Sequence, residues 1–154
     1  MGRIVKAASP QEVAAVRALF EEYARAVDVP ACFEGFAREL DALPGEYAPP
    51  GGALLLALES AQPAGCAALR RIDAATGEMK RLYVRPAFRA SGAGRELAQA
   101  VVSVARDNGY ARLVLDTLPG MGEAHALYRS LGFRPTGPYL SCPTPGASCY
   151  ELIL

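Results

Sequence analysis

The feature that most constrains the fold is a strand–turn–helix–strand unit in the middle of the chain. An apolar run at 78–84 is followed by a glycine-containing turn, an amphipathic run at 94–108 and a second apolar run at 111–117. Strands joined through a helix lie parallel in one sheet, and the crossover between them is right-handed. We therefore expect a parallel pair of strands near the centre of a sheet.

The remaining segments add antiparallel strands and further helices to this unit. Ser9 and Pro10 precede an amphipathic run with Glu12 in its first turn, the usual signature of a capped helix. Turn residues separate three successive apolar runs, which predicts a meander, with a turn at Gln62 and Pro63. The predicted strands are 3–8, 53–59, 65–72, 78–84, 111–117, 133–139 and 148–154, and the predicted helices are 10–27, 33–43, 94–108 and 121–131.

Length and charge narrow the class of protein further. The 154 residues are expected to form one domain spanning 1–154, and the 16 basic and 16 acidic side chains balance. We therefore expect no nucleic-acid or membrane partner. No apolar run approaches the ~20 residues of a membrane span, and the start lacks a signal-peptide core, so we expect a cytoplasmic protein. Without a Cys-x-x-Cys pair, and with His125 as the single histidine, we expect free thiols and no metal.

The turn before the predicted crossover helix at 94–108 reads Arg89-Ala90-Ser91-Gly92-Ala93-Gly94. Glycine lets the backbone expose its N–H groups, and a helix N-terminus follows, which is a combination typical of a phosphate site. A nucleotide-binding P-loop needs Lys and Ser or Thr after the last glycine, and a dinucleotide fingerprint needs a third glycine. Arg95, Glu96 and Leu97 stand at those positions instead. A plain tight turn with a glycine cap is the alternative.

Two blocks of the sequence resemble the GNAT acyltransferase superfamily. Residues 79–94, Met-Lys-Arg-Leu-Tyr-Val-Arg-Pro-Ala-Phe-Arg-Ala-Ser-Gly-Ala-Gly, resemble its acetyl-coenzyme A signature. Residues 124–133, Ala-His-Ala-Leu-Tyr-Arg-Ser-Leu-Gly-Phe, look like its last helix and the strand that follows. The resemblance implies the acyl-CoA N-acyltransferase fold. This is an α/β fold with a mixed, mainly antiparallel central sheet of about six to seven strands, a splayed parallel pair and about four flanking helices.

The resemblance also implies acetyl-CoA as cosubstrate and assigns residues to its parts. The pantetheine arm would pair like an extra strand with the strand residues Leu82, Tyr83 and Val84. The pyrophosphate would bind the backbone of the turn and helix start, at Arg89, Ala90, Ser91, Gly92, Ala93, Gly94 and Arg95. One departure concerns an asparagine that many members use to bind pantetheine, because Met121 stands at that position here.

Three side chains are candidates for the chemistry that the resemblance implies. Tyr128 would protonate the departing thiolate, although a tyrosine at this helical spacing is also an ordinary core residue. Glu78 would accept the proton of the attacking amine, directly or through water, unless it is a solvated residue after a turn. Tyr139 is the candidate wall of the acceptor pocket, where aromatic residues also serve as plain core.

The expected activity is transfer of an acetyl group to a primary amine by direct attack in a ternary complex. Two alternatives remain at this point: a coenzyme A-binding sensor or regulatory module without useful transfer activity, and a nucleotide enzyme that uses the same turn. The sequence does not specify the acceptor, a small molecule or a peptide amine. A homodimer is compatible with the resemblance.

Overall fold

The structure, a computed structural model, describes residues 2–27, 35–117, 122–139 and 147–154. It contains seven strands, four helices and two short 3₁₀ turns, at Gly45–Tyr47 and Pro86–Ser91, among these residues. The elements in chain order are β1 (Gly2–Lys6), α1 (Pro10–Val27), α2 (Phe36–Ala42), β2 (Ala53–Glu59), β3 (Gln62–Arg71), β4 (Thr76–Val84), α3 (Ala93–Asp107), β5 (Arg112–Thr117), α4 (Gly122–Ser130), β6 (Arg134–Thr136) and β7 (Ser148–Ile153).

All seven strands form one mixed sheet in the order β1-β2-β3-β4-β5-β7-β6. Every neighbouring pair is antiparallel except β4 and β5, which are parallel and joined through α3. The predicted fold class, including the central parallel pair and the four helices, is therefore confirmed. Among the described residues, no helix combines the length and apolar character needed to cross a membrane.

Two apolar cores lie on opposite faces of the sheet because its strand residues alternate between them. One face packs against α3 and α4, with Leu97 and Val101 of α3 fully buried against Leu113 of β5. The opposite face packs against α1 and α2, with Phe20 of α1 buried beside Tyr47. We call these the α3 face and the α1 face.

Side-chain contacts hold the two N-terminal helices on the α1 face. The Arg85 guanidinium donates to both oxygens of Glu22 on α1, the shortest contact being 2.6 Å from Nη2 to Oε2. The Arg81 guanidinium binds both oxygens of Glu39 on α2 at 2.9 and 3.0 Å, and it lies over the Phe36 ring. Arg81 is on β4 and Arg85 directly follows it, so this strand and its end position α1 and α2 over the centre of the sheet.

Several element boundaries differ from prediction, for local reasons. The turn predicted at Gln62 and Pro63 is wrong, because both residues belong to β3 and the hairpin turn is Ser60-Ala61, with φ of 49° and 66°. Gly35 does not lie inside α2 but caps it in the left-handed region, at φ 78°. β6 is only three residues long, so Tyr139 follows the strand that was predicted to contain it.

Candidate functional site

The sheet divides where β4 and β5 separate. Their parallel pairing runs from Thr76 and Arg112 to Glu78 and Val114 and stops there, although both strands continue. A bulge in β4 coincides with this separation, since the register with β3 shifts around Arg81, whose φ is 58°. Leu82, Tyr83 and Val84 therefore lie on the part of β4 that does not pair with β5. We call this gap between β4 and β5 the fork.

The predicted glycine turn leads directly into α3. Gly92 is the N-cap residue with φ 86°, a conformation that glycine adopts at little cost. The Ala93 N–H donates to Ser91 Oγ at 3.3 Å, whereas the N–H groups of Gly94 and Arg95 have no hydrogen-bond partner among the described residues. A helix start with free N–H groups can bind an anion.

A methyl group at Gly94 fits the protein itself. An ideal Cβ built there lies 3.7 Å from Val84 Cγ2 and 4.0 Å from Leu127 Cδ2, which are ordinary contact distances. Neither the backbone conformation nor the neighbouring side chains therefore require glycine at this position. A need for glycine here would therefore come from a ligand that approaches the backbone closely.

The charged side chains around the turn are already engaged. Arg89 Nε donates to the Val84 carbonyl at 3.1 Å, and Arg95 Nη2 donates to Ser130 Oγ on α4 at 2.6 Å. The exposed Ala90 contributes no polar side chain. The Tyr83 hydroxyl donates to Glu22 at 3.4 Å, and its ring packs against Tyr23 on the α1 face. The predicted cofactor residues thus offer mainly backbone groups to a ligand.

The end of α4 positions Tyr128. The Phe133 N–H donates to the Tyr128 carbonyl at 3.0 Å across Gly132, whose φ is 96°, so α4 ends in a Schellman motif. This turn packs the Phe133 ring against the Tyr128 ring at 5.8 Å between centroids, and Tyr150 packs at 6.2 Å. The Tyr128 side chain is consequently held in place and only 6% exposed.

The hydroxyl of Tyr128 is not engaged by the described part of the protein. It makes no hydrogen bond to any described residue, although the ring packs in the α3-face core. Burial raises its pKa, and the charges of Tyr23 on α1 and Asp116 on β5 raise it further. Since Tyr23 packs against Tyr83 on the α1 face, Tyr128 is influenced by a group from the opposite side of the sheet.

The structure brings Glu78 and Tyr139 into direct contact. Glu78 is 0% exposed, and each of its carboxylate oxygens accepts one hydrogen bond. Arg70 Nε donates to Oε1 at 2.5 Å and the Tyr139 hydroxyl donates to Oε2 at 2.5 Å. Arg70 also contacts Glu46, which is 67% exposed, at 3.3 Å. Glu78 is therefore a buried and fully engaged carboxylate rather than a solvated one.

Asp116 is a polar residue of the fork that the sequence did not single out. It follows three buried apolar residues of β5 and is itself partly exposed. Burial and then the charge of Glu78 raise its pKa. The available signal was an acidic residue near the end of an otherwise apolar strand, which by itself also fits a solvated strand end.

Two further residues near α4 were considered from the sequence. His125 accepts or donates at both ring nitrogens, to Thr117 Oγ1 at 2.9 Å and to the Tyr150 hydroxyl at 3.1 Å. Since Thr117 Oγ1 donates to the Ser148 carbonyl, it accepts from His125 Nε2–H, and Tyr150 then donates to Nδ1. His125 is thus a structural link between α4 and β7. Met121 lies outside the described residues.

No candidate metal centre is present among the described residues, where groups of three or more potential ligands are absent. Cys66 and Cys149 are free thiols, and burial raises the pKa of Cys66. Cys32 and Cys142 lie outside the described residues.

Comparisons with known proteins agree with this arrangement. The family described as Acetyltransferase (GNAT) family matches residues 14–133. An uncharacterized N-acetyltransferase of Schizosaccharomyces pombe is 35% identical over 138 residues, which cover 88% of this chain and 85% of the relative.

Solved structures show the same fold. An acetyltransferase from Streptococcus agalactiae has a TM-score of 0.78 at 22% identity, over 99% of this chain and 98% of that chain. A GNAT family acetyltransferase from Elizabethkingia anophelis with acetyl-CoA bound has a TM-score of 0.59 at 26% identity, over 68% of this chain and 77% of that chain. On the evidence of its sequence and its fold, this chain belongs to the GNAT family of acetyltransferases.

Proposed function

We propose that the protein transfers an acetyl group from acetyl-CoA to a primary amine, by direct attack of the amine in a ternary complex. The observation that carries this proposal is the Tyr128 hydroxyl. It has no partner among the described residues, and its ring is packed against Phe133 and Tyr150. A hydroxyl that the protein does not engage, on a ring held by packing, is available to donate a hydrogen bond to a ligand.

The residues at the fork fit the cosubstrate. The free N–H groups of Gly94 and Arg95 and the positive end of α3 suit a pyrophosphate. The unpaired stretch of β4 at Leu82, Tyr83 and Val84 suits a pantetheine arm, whose amides hydrogen-bond like a strand. Helix-end charge contributes roughly 0.3–2 kcal/mol, so hydrogen bonds from N–H groups supply much of the affinity.

When bound, acetyl-CoA supplies a thioester that a neutral amine attacks without an acyl-enzyme stage. Tyr128 donates its proton toward the sulfur as negative charge develops there. The pKa of this tyrosine is raised by burial, so the hydroxyl is fully protonated at neutral pH and ready to donate. In this proposal, N–H groups of β4 beyond the bulge polarise the thioester carbonyl.

The acceptor needs a base. An amine of pKa near 10 is about one-thousandth neutral at pH 7, a handicap of roughly 4 kcal/mol. Glu78, the candidate from the sequence, is buried with both oxygens engaged, so it would have to reach the amine through Tyr139 or an intervening water. Tyr139, held by this carboxylate, forms the wall of the acceptor pocket in this proposal.

Two measurements on the same samples test the proposal: calorimetric binding of acetyl-CoA, and thiol release in the presence of a panel of primary amines. Tyr128→Phe is expected to bind acetyl-CoA like wild type and to release thiol about 10²–10⁴-fold more slowly, the usual contribution of a general acid. Its thermal stability should not fall, since the hydroxyl it loses has no partner among the described residues.

Tyr110→Phe is the matched control, because its hydroxyl donates to the Gly51 carbonyl at 2.6 Å, away from the fork. This variant should lose about 1 kcal/mol of stability and keep its turnover. Acetyl-CoA binding with no thiol release on any amine, in wild type and Tyr128→Phe alike, would favour the sensor module over the enzyme.

A further inference from the structure

Asp116 occupies the position on β5 that faces the opening fork. Val114 is the last β5 residue paired with β4, opposite Glu78, and side chains two residues apart on a strand share a face. Asp116 therefore lies on the same face as Glu78, one step beyond the last pairing. No side chain among the described residues donates a hydrogen bond to its carboxylate or forms an ion pair with it.

The two carboxylates of this face have opposite surroundings. Glu78 is 0% exposed and is held on one oxygen by Arg70 and on the other by Tyr139. Asp116 is partly exposed and lacks such partners. A carboxylate that must accept a proton from an incoming amine needs a free lone pair within reach of that amine. Beyond a hydrogen bond to its own backbone, the Asp116 carboxylate keeps lone pairs that no described side chain occupies, whereas both oxygens of Glu78 are occupied.

Several charged and titratable groups act on Asp116 electrostatically without contacting its carboxylate. Burial first, and then the negative charge of Glu78, raise its pKa, while Lys80 and Arg81 lower it. Asp116 in turn raises the pKa of Tyr128, Tyr139 and Cys149. The groups coupled to it electrostatically are Glu78, Lys80 and Arg81 from β4, Tyr128 from α4, Tyr139, and Cys149, its register partner on β7.

We propose that Asp116 binds the ammonium group of the acceptor and takes its proton, whereas Glu78 is a positioning residue that holds Tyr139 in the acceptor pocket. The inference rests on the proposed transferase function. One N–H bond of the ammonium breaks, its proton moves to an Asp116 oxygen, and the nitrogen keeps the electron pair for attack. Asp116 later returns that proton to water. As the C–N bond of the amide forms and the C–S bond of the thioester breaks, Tyr128 gives its proton to the sulfur. The nitrogen then loses a second proton, which restores the Tyr128 hydroxyl.

The proximity of the acid and the base supports this assignment. Asp116 lies one step beyond the last β4–β5 pairing, and its charge raises the pKa of Tyr128 after burial and Tyr23, so in this proposal the attacking nitrogen and the departing sulfur lie between the two side chains. The raised pKa of Asp116 also brings it nearer the working pH, where a general base is most effective. The acceptor class that fits is a primary aliphatic amine that is protonated at neutral pH.

Comparison of a basic with a weakly basic nucleophile tests the proposal. Thiol release from acetyl-CoA is measured with ethanolamine, putrescine and glycinamide, and in parallel with hydroxylamine, which is largely unprotonated at neutral pH. Asp116→Asn should lower kcat/KM about 10²–10⁴-fold for the basic amine that turns over best, and less than about tenfold for hydroxylamine. Its rate with the basic amine should rise with pH in proportion to the free amine.

Glu78→Gln should behave differently, because Gln keeps the side-chain shape near Tyr139 but not the charge. A positioning role lowers the rate by one common factor for both nucleophiles and leaves the acidic limb of the wild-type pH profile in place. Asp107→Asn, at the exposed end of α3, is the matched control and should match wild type throughout. Calorimetric acetyl-CoA binding checks the fold of each variant, and Asp116→Ser carries the comparison if Asp116→Asn does not fold.

The outcomes separate the two proposals. If Asp116→Asn loses the same factor with hydroxylamine as with the basic amine, or loses nothing, Asp116 is not the base. If instead Glu78→Gln shows the nucleophile-selective loss, Glu78 is the base and the assignment is reversed. If wild type releases no thiol with any nucleophile, the transferase function itself is refuted, and the inference falls with it.

Discussion

Replacing Gly94 by alanine should strengthen the fold and weaken the cofactor site at the same time. The added Cβ meets only Val84 Cγ2 and Leu127 Cδ2, at 3.7 and 4.0 Å, and Gly94 has no positive φ. An alanine in the first turn of α3 loses less chain entropy on folding than glycine. We expect a gain of about 0.5 kcal/mol in the free energy of unfolding, which corresponds to a rise of about 1–2 °C in Tm.

The substitution should weaken only the binding of acetyl-CoA. If the pyrophosphate accepts a hydrogen bond from the Gly94 N–H, a methyl group beside that N–H displaces it. Loss of one hydrogen bond to a charged group costs about 1.5–3 kcal/mol, so the Kd should rise about 10- to 150-fold. Differential scanning calorimetry gives the first quantity, and isothermal titration with acetyl-CoA gives the second.

Gly51→Ala is the control for this prediction. Its added Cβ also meets only ordinary contacts, with Tyr110 Oη at 3.5 Å and Arg71 Cβ at 3.7 Å, but it lies in a loop away from the fork. This variant should leave the Kd unchanged. If Gly94→Ala bound acetyl-CoA as tightly as wild type, the pyrophosphate would not lie against the start of α3. If Gly94→Ala lowered Tm, the local packing described here would be wrong.

Three further predictions concern the scaffold of the site. Arg85→Gln should destabilise the protein by about 1 kcal/mol at neutral pH, because Arg85 binds Glu22 of α1 through its guanidinium. Hydrogen bonds from Arg85 lower the pKa of Glu22 below its ordinary 4.5, so this stabilisation is present above that value and disappears as the pH falls through the lowered pKa. Urea titrations at neutral and acidic pH measure it, and an equal loss at both would contradict the pairing. Phe133→Ala should cost about 3–5 kcal/mol in the same assay by opening a cavity under Tyr128, and a cost below 1 kcal/mol would show that the ring is not core. Cys66→Ala should leave the number of thiols that react rapidly with Ellman's reagent unchanged, since Cys66 is fully buried and burial raises its pKa; loss of one rapid thiol would refute this.

The sheet and its helices were predictable because their signals are local. Apolar periodicity located β4, α3 and β5, and the crossover rule alone made β4 and β5 parallel. The capping residues of α1 were equally readable, and Ser9 and Glu12 hydrogen-bond to each other's backbone at 3.1 Å. The hairpin turn at Ser60 and Ala61 was missed because its two left-handed residues are neither glycine nor asparagine.

The chemical state of the site was less predictable, because it depends on distant partners. The carboxylate of Glu78 was identified from its position before β4 diverges, but its engagement depends on Arg70 and on Tyr139, eight and 61 positions away. Likewise, no described side chain from the neighbouring elements hydrogen-bonds to the Asp116 carboxylate. This depends on how several elements pack together, and no spacing in the sequence predicts it. The resemblance identified the turn and Tyr128, whose roles stay predictions.

The short pairing at the centre of the sheet has a mechanical consequence. Three residue pairs join β4 to β5, compared with six between β5 and β7, among the described residues. The sheet therefore consists of two parts joined by this short β4–β5 pairing, and β5, α4, β6 and β7 form the smaller part. A molecule that hydrogen-bonds along β4 inside the fork would extend the connection between the two parts. Amide hydrogens of the smaller part should therefore exchange more slowly, as a group, when acetyl-CoA is bound than when it is absent.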